Sequence, residues 1–274
     1  MEQKNFSNWF YSLSKITLLL EMSPDYTTYI AHIDLTRLEQ DNSTEQIIAL
    51  CRQAQTVFGN VAAVCIPPEH VTIAVDQLQH TTIKVATVAN FPTGNQALKA
   101  TQQQIDQAIA AGANEIDLVM PYQALQNGQH TFVEHYLASC RQQCQQLCLK
   151  VILETGSFTS ESAMLDAALL AIDCGADFLK TSTGKIAIGA SLEAAAVFCQ
   201  AIQSRPDCEV GIKLSGGIKD PQTAQTYWQK ITQQSLPLTA MKYQSSCQKI
   251  YLAQAKIKCR QGWGRWHCQV RAAW

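Results

Sequence analysis

The chain has 274 residues, 47% apolar and 16% charged, with a formal net charge of −1. These figures exclude a disordered polyelectrolyte and give no general electrostatic reason to expect nucleic acid or an acidic membrane as partner. They allow a large core in one long domain, a size common among β/α barrels.

Residues 1–28 predict an amphipathic helix around Trp9, Phe10 and Leu13, followed by a loop at Pro24. The apolar run Ile16–Leu20 is too short for a secretory core, and no stretch approaches the length of a membrane span. A first strand, YIAHIDLT at 29–36, carries His32, Asp34 and Thr36 toward its end. A helix is expected over 43–58, with Ser43 as N-cap and Gly59 as its stop. VAAVCIPP at 61–68 predicts the second strand, TTIKVATVANFPTG at 81–94 the third, and EIDLVMPY at 115–122 the fourth.

Helices are expected over 69–79, 96–111 and 131–147. LKVILETG at 149–156 is a fifth strand, followed by a helix from Ala163 to Cys174 that Thr159 or Ser160 opens. DFLKTSTGK at 177–185 gives the sixth strand and its loop, Ser191–Gln203 a helix, EVGIKLSGGI at 209–218 the seventh strand, and Pro221 opens a helix to about Ile231.

Seven strand–helix alternations with short connections predict a parallel α/β architecture, and nearly continuous apolar strands fit a sheet covered on both faces. A (β/α)8 TIM barrel and an open doubly wound sheet both satisfy this pattern. The absence of GxGxxG after the first strand weakens the dinucleotide-binding fold. Polar residues gather at the C-terminal strand ends, where barrel active sites lie.

Two segments echo one another: GANEIDLV from Gly112 and GADFLKTS from Gly175. In each, a charged residue stands five positions after the glycine, Asp117 in one and Lys180 in the other. There are eleven cysteines and no CxxC pair. A disulfide framework is therefore not expected, and the cytoplasm is the expected compartment. Cys140, Cys144 and Cys148 recur at helical spacing with Val133, Tyr136 and Leu137, which points to core packing rather than to a metal.

Alternation along the strands turns Asp117, Lys180 and Lys213 toward one face. A lysine at a strand end can simply reach solvent. On the inner face of a barrel it must be paired or lose its proton. A second ammonium beside Lys180 would lower its pKa and leave more of it neutral and nucleophilic, while Asp117 could shuttle protons. The competing reading is a buried ion network that only holds the barrel together. Two glycine turns, Thr181–Lys185 and LSGGI at 214–218, could receive an anion through backbone N–H groups.

With these segments in place, the chain resembles the deoxyribose-phosphate aldolase family of class I aldolases. The match rests on IDLT, KVATVANFPTG, EIDLVMPY, KVILETG, DFLKTSTGK and GIKLSGGI, in family order from about residue 30 to 230. The resemblance implies a TIM barrel that reversibly cleaves 2-deoxy-D-ribose 5-phosphate to glyceraldehyde 3-phosphate and acetaldehyde, with neither cofactor nor metal. It implies Lys180 as the Schiff-base lysine, Lys213 as the second lysine and Asp117 as the proton relay. Gly184, Lys185, Gly216 and Gly217 match its phosphate-side loops, and Asp34 and Thr36 its pocket lining. The expected partners are a small sugar phosphate and aldehydes, with no membrane or nucleic acid, and a homodimer as the assembly considered.

The family pattern stops near residue 232. The eighth strand and last helix are not evident, and KLSGG replaces the more usual Lys-Pro-Ala-Gly-Gly. After Asp220 there are eight Lys/Arg and no Asp or Glu. The expected division is thus an aldolase barrel over 1–232 and a divergent basic segment over 233–274. A basic tail of its own and a shifted reading frame both account for that segment. The incomplete pattern also raises an alternative function, a barrel that binds phosphorylated ligands without turnover.

Overall fold

Ser43 begins the first described helix by accepting from the amide of Gln46, while the Gln46 side chain accepts from the amide of Ser43. This reciprocal cap satisfies two amides that the first turn would otherwise leave unpaired. Ser160 and Ser191 cap two later helices through their hydroxyls alone, accepting from the amides of Ala163 and Ala194. The computed structural model describes residues 30–218, 221–232 and 243–247. The helix expected over 1–28 and the segment beyond Cys247 lie outside the described residues.

Eight parallel strands close a barrel: β1 (Ile33–Thr36), β2 (Ala63–Ile66), β3 (Lys84–Ala89), β4 (Glu115–Val119), β5 (Cys148–Ile152), β6 (Phe178–Lys180), β7 (Gly211–Leu214) and β8 (Tyr243–Cys247). The helices between them are α1 (Thr44–Gln53), α2 (Val71–Leu78), α3 (Leu98–Ala110), a short α4 (Tyr122–Gln126), α5 (His130–Cys144), α6 (Glu161–Asp173), α7 (Leu192–Gln203) and α8 (Pro221–Thr232). The predicted fold class, a TIM barrel, is the observed one.

The eighth strand corrects the sequence reading. Tyr243–Cys247 pairs with β7 on one side and β1 on the other, with Gln244 opposite Lys213 and Ser246 opposite Asp34. The barrel therefore extends past the boundary expected at residue 232, and neither β1 nor β7 is left with an open edge. YQSSC has no apolar run to mark it as a strand; two waiting edges supply its backbone partners. A second correction lies at 54–60. The expected helix over 43–58 stops at Gln53, and Gln55–Thr56 pairs with Gly59–Asn60 in a small antiparallel hairpin.

The two echoing segments end their helices identically. Gly112 and Ala113 donate to Ile109 and Ala108; Gly175 and Ala176 donate to Ile172 and Ala171. Both are the paired bonds of a Schellman stop, which fixes the distance from helix end to strand. The core between strands and helices holds Leu35, Ile116, Leu118, Val151, Leu179 and Ile212 from the outward strand faces. Cys140 and Cys144 are buried there on α5, as small apolar side chains. Among the described residues, no helix is long and apolar enough to cross a membrane.

Candidate active site

The inward strand positions bring six ionisable side chains into one buried network. Lys180 Nζ, at the end of β6, lies 2.5 Å from Asp117 Oδ2 on β4. Lys150 Nζ on β5 lies 3.1 Å from Asp117 Oδ1 and 3.2 Å from Asp34 Oδ2, and also contacts Glu115. Lys213 Nζ on β7 contacts Asp34 on β1. Three ammonium groups thus face three carboxylates, the compensation that burial of charge demands.

Strand tilt explains one contact that pairing alone would not predict. Asp117 is opposite Lys150, and Lys150 is opposite Phe178, two residues before Lys180. Lys180 nevertheless reaches Asp117, because inward layers of a tilted barrel are filled from alternate strands.

The electrostatics differ from the simplest expectation. Burial works against the Lys180 ammonium, but the Asp117 carboxylate overrides it and holds Lys180 above the usual lysine range. Lys213 is the lysine held below that range, by burial first and then by the nearby Lys150 and Lys180 cations, against the pull of Asp34. Burial also opposes the Asp117 carboxylate, yet Lys150, Lys180 and Lys213 bring it well below the ordinary carboxylate range. The expectation that Lys180 itself is the depressed lysine is therefore corrected; the depression falls on its neighbour.

Lys150, Glu115 and Cys65 are members of this site that sequence reading did not single out. Cys65 on β2 donates to Asp117 Oδ2 at 3.8 Å, and burial, then Asp117, pushes its thiol up to about 12. Cys65, Ala63, Ala86 and Val88 form an apolar cluster inside the barrel, with Leu38 and Phe91 packed against it. The site thus has an apolar wall beside its charged floor.

Thr36 ends β1 with its hydroxyl donating to the carbonyl of Asp34, so it supports the strand end that carries Asp34. Gly184 lies in the loop after β6 with φ +75°, and Gly216 and Gly217 follow β7 with φ +88° and +85°. Two successive left-handed glycines turn consecutive amides in a way other residues resist. Lys185 is exposed and its Nζ donates to the carbonyl of Leu38 at 3.0 Å, which lays the β6 loop across to β1.

The β6 and β7 loops touch backbone to backbone. A Cβ on Gly189 would collide with the Gly216 carbonyl and lie 2.9 Å from Gly216 Cα. Ala190 N donates to the Gly216 carbonyl at 3.0 Å, and Tyr227 on α8 donates to the Ala190 carbonyl at 2.8 Å.

A parallel barrel with lysines and carboxylates converging at its inward strand positions defines a class of barrel enzyme able to do carbonyl and proton-transfer chemistry. The chain belongs to the DeoC/LacD aldolase family, whose model matches residues 28–234. It is similar to a protein described as a candidate deoxyribose-phosphate aldolase from Coccidioides immitis, with 27% identity and a TM-score of 0.72, covering 90% of this chain and 96% of that one. It is also similar to an aldolase designated QR15, at 26% identity and a TM-score of 0.69, covering 80% of this chain and 91% of that one. The fold matches the deoxyribose phosphate aldolase of Aeropyrum pernix, described as a tetramer, at 21% identity and a TM-score of 0.68 over 82% of this chain and 88% of that one.

Proposed function

We propose that this aldolase cleaves 2-deoxy-D-ribose 5-phosphate reversibly to glyceraldehyde 3-phosphate and acetaldehyde, through a Schiff base on Lys180. The observation that carries the reading is the buried contact of Lys180 with Asp117, beside a second lysine with a depressed pKa.

Lys180 is stored as an ammonium on Asp117 and must shed a proton before it can attack. Lys213 stands opposite Lys180 in strand register and is held below the usual lysine range, so its neutral form is the base we assign to take that proton. The neutral Lys180 Nζ then adds to C1 of the open-chain sugar, and loss of water leaves an iminium. Removal of the C3 hydroxyl proton breaks the C2–C3 bond and releases glyceraldehyde 3-phosphate, the iminium taking the electron pair to become an enamine. Protonation of the enamine at C2 and addition of water release acetaldehyde and restore the lysine. Asp117 is the group placed to pass protons at the carbinolamine stage. Gly184, Lys185, Gly216 and Gly217 are assigned to the phosphate, and Asp34 and Thr36 to the pocket floor and rim. The reaction fits intracellular breakdown of deoxynucleoside sugars, and self-association as a homodimer is part of this reading.

A specific observation favours a second reading. Burial favours the neutral form of all three lysines, but only at Lys213 do the carboxylates fail to outweigh it, so it is the alternative nucleophile. Borohydride reduction in the presence of acetaldehyde, followed by peptide mapping, separates the two. The adduct is expected on the peptide carrying Lys180. An adduct on Lys213 would transfer the role. A folded protein with no adduct and no turnover would leave a barrel that binds phosphorylated ligands only.

A further inference from the structure

Glu154 makes no ion pair with the six-residue network, although it lies near enough to feel the Lys180 charge, and it is buried, with 0% exposure. It follows β5 and stands between two backbone bonds that extend the β5–β6 pairing: Leu153 N to the Lys180 carbonyl at 2.9 Å, and Thr155 N to the Thr181 carbonyl at 2.8 Å. Its backbone is left-handed, with φ 57°, a conformation that costs a residue with a side chain and that persists where surroundings impose it. In that conformation the carboxylate meets the loop after β6. It accepts from Thr183 N at 3.3 and 3.4 Å and from Thr183 Oγ1 at 2.5 Å. Thr183 Oγ1 in turn accepts from Lys185 N at 3.1 Å. One chain of hydrogen bonds therefore runs from the Lys185 amide through the Thr183 hydroxyl to the Glu154 carboxylate. The direction is fixed, because a carboxylate can only accept.

Resting on the reading of Gly184 and Lys185 as phosphate-side residues, we propose that Glu154 is a positioning residue for phosphate recognition. It holds the Thr183–Lys185 turn from beneath and so sets the preference for a phosphorylated over an unphosphorylated sugar. A carboxylate is suited to this task because Thr183 offers two donors at once. A carboxamide presents one oxygen and sets N–H groups against a donor. The same segment after β5 meets the loop a second time, where a Cβ on Gly156 would collide with the Ile188 carbonyl. The turn can then keep its shape whether or not an anion is present.

The test compares kcat and KM of the full chain for 2-deoxyribose 5-phosphate and for 2-deoxyribose, in the parent, Glu154→Gln, Thr183→Val and the double variant. For Glu154→Gln the KM for the phosphorylated sugar is expected to rise roughly tenfold or more. Borohydride trapping of acetaldehyde on Lys180 should change by less than about twofold, since that probe carries no phosphate. Thr183→Val removes the same bond, so the double variant should be little worse than either single one. If Glu154→Gln does not fold, Thr183→Val against the parent carries the comparison alone. A parent that prefers the phosphorylated sugar, with variants that keep that preference or lose trapping equally, overturns this proposal only. A parent with no preference overturns the phosphate reading and this proposal together.

Discussion

Lys180 and Lys213 stand opposite one another in register on adjacent strands, yet their ammonium groups turn to different carboxylates, Lys180 to Asp117 and Lys213 to Asp34. The two lysines share one neighbourhood, and both act on Asp117, without sharing an ion-pair contact. That separation lets one be held above the ordinary lysine range while the other is held below it.

Replacing Asp117 by Asn removes the partner of Lys180 and one of the three partners of Lys150. Unpairing a buried charge costs about 3–5 kcal/mol, and losing a proton-transfer group costs roughly 100- to 10,000-fold in rate. Asp117→Asn should therefore lower both urea stability and kcat. Parallel denaturation and steady-state assays check the two effects separately.

Lys150→Met tests the centre of the network. It leaves Asp34, Glu115 and Asp117 with one fewer cation among them. A loss of about 3–5 kcal/mol is expected, a fall in Tm of roughly 10 °C for a chain of this size. The deficit should shrink in acid, where Glu115, held above the ordinary carboxylate range by burial, is the first of the three to protonate, and thermal melts at pH 4 and pH 7 measure that difference.

The pH dependence of stability follows from the directions of the shifts. Lys150 is held well above the usual lysine value: burial opposes its ammonium, but Asp117, Asp34 and Glu115 outweigh it. A raised amine contributes stability that is full below its unfolded pKa, about 10.4, and is lost as pH climbs through the folded value. Lys180 has the same sign; Lys213, being lowered, has the opposite one. Asp117, being depressed, contributes stability present above its unfolded pKa, about 3.9, and lost as pH falls through the folded value. From these signs, Asp117 makes the urea midpoint fall as pH drops below about 3.9, and Lys150 and Lys180 make it fall as pH climbs above about 10.4. In Asp117→Asn the acid-side fall should be shallower than in the parent.

Truncation after Thr232 removes β8 and exposes the edges of β1 and β7. The shortened chain should aggregate or lose cooperative melting, because two unpaired edges are templates for association. Light scattering and calorimetry on the truncated chain check this; a monomer with an unchanged melting transition would count against closure by Tyr243–Cys247.

The same alternation that marked Asp117, Lys180 and Lys213 in the sequence marks Lys150 as well. It stands in an apolar run, two residues before the inward Ile152, without a glycine turn after it to draw attention. Glu115 opens its strand, where a charge usually reads as a solvent-facing end, so only the closed barrel reveals its contact with Lys150. The eighth strand was illegible for a different reason. Tyr243–Cys247 is held by backbone pairing to strands that are distant or separated in sequence, and such tertiary pairing leaves little trace in local composition. The Glu154 contact depends on a left-handed backbone at a non-glycine residue, which sequence pattern does not announce.

The close approach of Gly189 to Gly216 makes the β6 and β7 loops mechanically one piece. Neither can be lengthened, tilted or given a side chain at that crossing without displacing the other. An engineer seeking to retune this enzyme for a bulkier or uncharged substrate would have to redesign both loops at once, and the Lys185 contact to Leu38 brings the segment after β1 into the same unit.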